Sequence, residues 1–358
     1  MAEEESRRVL DEVLIGEIVF HLPPNRPACL FRASAVCKAW RTFLTDPDIL
    51  RIYRELHKAP PVLGFLRNVG RADEPPDPLG LVVCDPITDN HQLLPDQPYQ
   101  YQPGQPEPPY SHFTGAVLCA VDGCNHLDCR EGPFRVVFTA TAYQNVDVVF
   151  TWASLYSSET GTWTEPTIVY PGPVMDPLDG DVMGPSLLAG DSLYFTLDLQ
   201  NNRTVLRYDL GGGALSVMDP PPLLVRRDTF LVTGEDGGLG VAAVESYSLR
   251  LWSWKAADGW ALHRVIDLEM MIPFTVGIST IVFKVIGYAE MSGIIFVSAN
   301  GITSSVRLRS GRVSNFNRIL NVNTIFPFET FYTLGMQGHK ELKFPGQGLL
   351  HQARNVQR

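Results

Sequence analysis

The stretch LWSWKAADGWALHRV, residues 251–265, is typical of two β-strands joined by a turn. Apolar and aromatic residues flank Asp258 and Gly259, two residue types that favour tight turns. The pattern recurs as LYSSETGTWTEP (155–166), LRYDLGGGALSVMDPP (206–221) and VRLRSGRVSNF (306–316), and VVCDPITDNHQLLP (82–95) resembles an earlier copy. The four clear turns lie near positions 160, 211, 258 and 310, so successive intervals are 51, 47 and 52 residues.

Outside these hairpins, residues 61–338 keep the same pattern of short β-branched and aromatic runs separated by Gly, Asp, Asn and Pro. A sandwich, a barrel or a propeller would fit such a pattern. The interval favours a propeller, because kelch-type blades of four strands repeat at about 50 residues. At this period, residues 61–358 predict six kelch-like blades. The Pro-rich segment 71–110 is interpreted as a long loop, with a docking peptide as the alternative.

Residues 1–57 have a helical pattern instead. The apolar residues of the first helix recur three and four positions apart, and Pro23-Pro24 ends it. Short helices follow through Leu30, through Trp40 and through Tyr53. A bundle this small cannot bury all of its apolar residues, so it is expected to present an interface to a partner. The fold class predicted for the whole chain is α+β multidomain, a small helical module followed by an all-β propeller.

LDEVLIGEIVFHLP (10–23) followed by AVCKAWRTFL (35–44) resembles the F-box. The resemblance implies a three-helix motif that docks on a Skp-type adaptor and through it joins a cullin-based ubiquitin ligase. The positions it assigns to the adaptor contact and its support are Val9, Leu10, Val13, Leu14, Ile18, Leu22, Pro23, Val36, Cys37 and Trp40. Each apolar side chain among them has a second interpretation, as part of the module's own interior.

The chain departs from the family pattern at Val9-Leu10, where the F-box usually has Leu-Pro. Because that proline shapes the start of the first helix, its absence raises the alternative of a lowered adaptor affinity.

The remainder is similar to the F-box-associated β-propeller regions of plant F-box proteins, especially the large grass families. The phrases that carry the likeness include VVCDPITDNHQLLP (82–95), LAGDSLYFTLD (188–198) and GIIFVSANGITSSVRLRSGRV (293–313). In that family the C-terminal part recruits the protein to be ubiquitinated. The resemblance therefore implies a non-catalytic substrate-recognition subunit whose target protein is unknown. Two alternatives stay open: a propeller binding module that acts without ligase assembly, and a propeller hydrolase with acids at the central channel.

Charge and motifs exclude several other functions. The formal net charge is -10, which argues against nucleic-acid and anionic-membrane partners. The spacing of Cys119, Cys124, His126 and Cys129 lacks the paired chelate loops of structural zinc sites. Asp176, Asp179 and Asp181 lack the Gly and terminal Glu of the usual calcium loop. No common catalytic or phosphate-binding motif is found, so we expect no metal and no cofactor.

The first residues, MAEEESRR, have no apolar leader segment, and Met270–Phe283 is too short and too interrupted to span a membrane. We therefore expect the protein to reside in the cytoplasm or nucleus with reduced thiols. Residues 339–358 are expected to form a flexible basic tail.

Overall fold

The fold is described from a computed structural model. It describes residues 13–24, 27–58, 62–66, 81–85, 90–97, 110–124, 132–145, 148–171, 185–199, 202–222, 229–268, 282–299, 302–315, 325–329 and 331.

The N-terminal region is helical. Its helices are α1 (residues 13–20), α2 (Pro27–Ser34), α3 (Lys38–Thr45) and α4 (Pro47–His57). Asp46 separates the last two, because its carboxylate accepts hydrogen bonds from the backbone N–H groups of Asp48 and Ile49 and so caps α4. Pro47 occupies the first turn of α4, where its missing N–H costs nothing. We call these four helices the helical module.

From residue 62 on, the described residues form β-strands. They are β1 (Val62–Leu66), β2 (Val82–Asp85), β3 (Asn90–Leu93), β4 (Tyr110–Cys119), β5 (Phe134–Asn145), β6 (Val148–Ser157), β7 (Thr162–Trp163), β8 (Thr167–Val169), β9 (Leu187–Ala189), β10 (Ser192–Leu199), β11 (Asn202–Asp209), β12 (Leu215–Met218), β13 (Thr229–Thr233), β14 (Leu239–Glu245), β15 (Ser248–Lys255), β16 (Gly259–Asp267), β17 (Phe283–Ala289), β18 (Ile294–Ala299), β19 (Ile302–Arg307), β20 (Val313–Asn315) and β21 (Phe326–Glu329).

Most of these strands form consecutive antiparallel meanders. Blade 1 runs β4-β5-β6-β7, with β8 also paired to β6; blade 2 contains β9–β12, blade 3 contains β13–β16 and blade 4 contains β17–β20. In blades 2, 3 and 4 the first strands contact one another in succession, since β9 contacts β13 and β13 contacts β17. Four-stranded meanders that follow one another around their first strands are the arrangement of a β-propeller.

Apolar side chains pack between neighbouring blades. Leu197 of blade 2 is fully buried in a cluster with Val137 of blade 1, and Leu249 of blade 3 is buried in a cluster with Val297 of blade 4. A further cluster joins blades 2 and 3. Each blade therefore covers an apolar face of the next, as repeat architectures require. The chain is a small N-terminal helical region followed by a β-propeller.

The predicted hairpins form the outer part of each blade. Each repeat places its turn between the third and fourth strands, and a glycine with positive φ lies in or beside that turn in all four blades: Gly161, Gly213, Gly259 and Gly311. The earlier copy at 82–95 contains the hairpin β2–β3.

The prediction of six blades is wrong. Among the described residues there are four complete blades and two two-stranded sheets, β1–β21 and β2–β3. The predicted number of blades was too high because the length of residues 61–358 was divided by one fixed period of about 50 residues. The turns near 88 and 160 are 72 residues apart, so this interval is longer than the period of about 50 residues that the count assumed.

Two indole rings form hydrogen bonds between neighbouring sheets. Trp163 of blade 1 donates its Nε1–H to the carbonyl of Pro95, which follows β3, at 2.9 Å. Trp260 of blade 3 donates to the carbonyl of Asp219, which follows β12 of blade 2, at 2.8 Å. In both cases the ring at the start of a fourth strand contacts a carbonyl within two residues of the end of the preceding hairpin.

Candidate functional site

Helix α1 has one buried and one exposed apolar face. Ile15 and Val19 lie one helical turn apart and are buried in the core of the helical module. Leu14 and Ile18 have the same spacing, and 54% and 50% of each residue remains exposed. Because successive helical residues are rotated by about 100°, the two pairs point in different directions. Packing within the described chain therefore leaves half of the apolar surface of α1 uncovered.

The other predicted adaptor residues divide between surface and core. Val36 and Cys37 lie at the turn between α2 and α3 and are exposed, as is Pro23 after α1. Leu22 and Trp40 are half-buried and pack against the core of the module. The structure thus gives these two side chains a supporting position. Val9 and Leu10 lie outside the described residues.

One exposed side chain was not among the predicted site residues. Phe31 on α2 is 45% exposed, whereas its neighbour Leu30 is buried. Leu30 and Phe31 are consecutive and so point about 100° apart around α2, but spacing alone does not decide which of the two faces the core. We define the exposed residues Val13, Leu14, Ile18, Phe31 and Val36 as the apolar surface of the helical module.

Helix α4 holds the end of α1 in place. The Tyr53 hydroxyl donates to the carbonyl of Leu22 at 2.7 Å, and His57 Nε2 lies 3.1 Å from the carbonyl of Phe20. Because a carbonyl only accepts, that imidazole nitrogen carries the proton. Burial raises the pKa of Tyr53 and lowers the pKa of His57. Both groups are thus uncharged at neutral pH, and they fix the orientation of the exposed face.

The charge on α2 and α3 is positive, whereas α1 carries the exposed carboxylate of Glu17. Residues 27–45, which span α2 and α3, contain three cationic side chains, Arg32, Lys38 and Arg41, and no carboxylate. All three are exposed. A partner that covers this part of the module is therefore favoured if it carries acidic groups at the edge of its apolar contact.

Other candidate sites receive less support from the described residues. No group of three His, Cys, Asp or Glu side chains among them could hold a metal ion. Cys119 and Cys124 form no disulfide bond among the described residues, and they lie on either side of the turn at Gly123. The other residues considered for metal binding, His126, Cys129, Asp176, Asp179 and Asp181, lie outside the described residues.

An enzyme site at the channel would need acids on the inner strands. The described first strands of the blades and β21 contain one carboxylate, that of Glu329. It is buried and accepts hydrogen bonds from backbone N–H groups of a neighbouring turn.

Among the described helices, none is long and apolar enough to cross a membrane.

Comparisons with known proteins add no identification. No family model and no curated protein matches the chain. Among solved structures, the Dos1 propeller matches at 10% identity and a TM-score of 0.36, over 68% of this chain and 56% of that one. The WD40 domain of SCAP from fission yeast matches at 10% sequence identity and a TM-score of 0.27, over 54% of each chain. Porphyromonas gingivalis dipeptidyl peptidase 4 matches at 12% sequence identity and a TM-score of 0.29, over 66% of this chain and 36% of that one.

The chain thus spans less than two thirds of each of these structures. Similarity this low carries no argument about function, and the propeller is inferred from the strand order of the chain itself.

Proposed function

We propose that the protein is a substrate-recognition subunit of a Skp-cullin-F-box ubiquitin ligase. In this role the helical module binds a Skp-type adaptor and the kelch-like propeller binds a target protein. The protein itself performs no chemistry. The observation that carries the proposal is the apolar surface of the helical module, because four of its five residues lie in the F-box-like segments 10–23 and 35–44 and Phe31 lies between them.

The size of this surface supports a partner. Covering a half-exposed Leu, Ile or Val side chain contributes about 1 kcal/mol, so the five residues together contribute several kcal/mol to association. An exposed apolar patch on a bundle this small otherwise promotes aggregation. Adjacent cations Arg32, Lys38 and Arg41 would add selectivity for an acidic partner.

The mechanism is effective concentration. A target held by the propeller shares one assembly with the ubiquitin-charged enzyme, so its lysines meet that enzyme at a local concentration set by the geometry of the assembly. No catalytic group of this chain is needed for this effect.

The test is co-purification of the full chain with a Skp-type adaptor. Leu14→Asp places a carboxylate in the proposed contact, and Leu56→Asp is the matched control. The two leucines lie on helices of the same module and are 54% and 58% exposed, but Leu56 is not among the predicted adaptor residues. Losing the apolar contact and burying a charge should weaken adaptor binding by at least about 100-fold in Leu14→Asp.

The intact chain and Leu56→Asp should bind the adaptor equally well, with circular dichroism verifying the fold of each variant. Equal loss in both variants would contradict the predicted site. No binding by the intact chain would refute the ligase role and favour a propeller binding module without ligase assembly, the alternative raised by Val9-Leu10.

A further inference from the structure

Strand β21, the last of the described strands, occupies the position of an inner strand. It contacts β17, just as β17 contacts β13 and β13 contacts β9. It also pairs antiparallel with β1, with Val62 opposite Glu329 and Leu66 opposite Phe326. The remaining two-stranded sheet, β2–β3, packs on blade 1 through Leu81, Val83 and Leu94. The two small sheets thus adjoin opposite ends of the four-blade series.

We propose that residues 325–331 form a latch with two functions. They provide the innermost strand of a fifth, composite blade whose outer strands are β1, β2 and β3, and they complete the core of the helical module. Propeller closure and the order of the helical module are thereby coupled.

The first contact of the latch is with blade 4. Ile325 is buried beside Ile286 and Phe296, and its N–H donates to the carbonyl of Ile286 at 2.7 Å. The β17–β18 pairing has a bulge between Val285 and Gly287, which frees that carbonyl from the regular ladder. A Cβ at Gly287 would lie 2.6 Å from Cγ1 of Ile325 and 2.7 Å from the carbonyl oxygen of Ile325. Only glycine therefore allows this approach.

The second contact is made by Glu329. Its buried carboxylate accepts hydrogen bonds from the N–H of Met291 at 3.0 Å and the N–H of Ser292 at 2.8 Å, and from the Ser292 hydroxyl. All of these donors lie in the turn between β17 and β18. The carboxylate thus holds the end of β21 to the first hairpin of blade 4.

The third contact reaches the helices. Phe331 is 3% exposed and belongs to the same buried cluster as Ile15, Val19 and Tyr53. Its ring centroid lies 6.3 Å from that of Tyr53, in an edge-to-face arrangement. Removal of the latch would open this core directly behind the exposed face of α1.

Hydrogen exchange on the full chain tests the coupling. Gly287→Ala disturbs the latch at blade 4 without contacting the helices. Gly240→Ala is the matched control, because it is also a buried strand glycine whose Cβ would meet backbone oxygens, those of Trp252 and Val232 at 2.9 and 3.0 Å. We expect Gly287→Ala to raise exchange in α1 and α4 by at least about tenfold, and Gly240→Ala to leave the helices unchanged. Equal helix exchange in both variants would overturn the latch.

A second variant keeps the test decisive if Gly287→Ala fails to fold. Phe331→Ala removes the helix contact, and because coupling is reciprocal it should also raise exchange in β1 and β21. An effect confined to the helices would refute the proposal.

The consequence for adaptor binding rests on the proposed function. If the intact chain binds the adaptor, Gly287→Ala should weaken that binding and Gly240→Ala should not. If the intact chain binds no adaptor, the ligase role fails, while the exchange results still decide whether the latch exists.

Discussion

The hydrogen bond from Trp260 to Asp219 provides a quantitative test of how the blades are held together. Trp260→Phe removes the Nε1–H donor at 2.8 Å and keeps an aromatic ring in the pair with Trp254, whose centroid lies 5.3 Å away. The lost hydrogen bond is worth about 1 kcal/mol, and the smaller, half-buried ring loses about 0.5 kcal/mol of apolar burial. We therefore expect the free energy of unfolding to fall by about 1.5 kcal/mol.

Trp163→Phe removes the equivalent bond to Pro95 and should cost about the same. The two sites lie in blades 1 and 3, so the double variant should lose about 3 kcal/mol by additivity. Urea denaturation followed by far-UV circular dichroism measures this without depending on tryptophan fluorescence. Trp254→Phe is the control, since it alters the same ring pair but keeps the Trp260 donor. A loss in Trp260→Phe no larger than in Trp254→Phe would refute the reasoning.

Three further predictions concern the helices, the latch and a turn. Burial lowers the pKa of His57, so the unfolded imidazole binds a proton near pH 6.5 and the folded one only at lower pH. The stability of the helices should therefore fall as pH decreases below about 6.5. His57→Gln should flatten this dependence, measured by circular dichroism at 222 nm. Glu329→Ala deprives the N–H groups of Met291 and Ser292 of their acceptor and should cost about 1–3 kcal/mol in urea denaturation. Gly161 has φ +70° and open space around its Cβ position, so Gly161→Ala should cost about 1 kcal/mol in the same assay, purely from backbone strain.

Each of these has a clear contrary result. A pH profile that is identical with and without His57 would show that another group controls helix stability. An unchanged urea midpoint in Glu329→Ala would mean that water replaces the carboxylate at no cost. Asparagine tolerates positive φ better than alanine. If Gly161→Asn lowered the free energy of unfolding as much as Gly161→Ala, backbone strain would not be the cause.

The sequence predicted local features of the fold well. Each outer hairpin depends on a turn glycine and on flanking apolar runs a few residues away, and the four repeats correspond to the four complete blades. The helices were likewise predictable from spacing and from local signals such as Asp46-Pro47. Such features are determined within about ten residues, so they can be recognised without knowing the tertiary structure.

Features that depend on distant residues were not predictable. Phe331 lies 278 positions from Tyr53, and no local pattern indicates that it packs into the helical core. The bulge at Ile286 and the need for Gly287 become apparent only when Ile325 is placed against them. For the candidate site, spacing identified the helix faces, but it could not determine that Trp40 supports the core while Phe31 is exposed.

The pairing of β1 with β21 also has a consequence during protein synthesis. Val62 and its partner Glu329 are separated by 267 positions, so β1 emerges from the ribosome long before the strand that completes it. At about 5–20 residues per second, this interval is roughly 13 to 53 s. During that time the first strand has an unpaired edge, a feature that favours aggregation. The nascent chain is therefore expected to need chaperone protection until β21 has been translated.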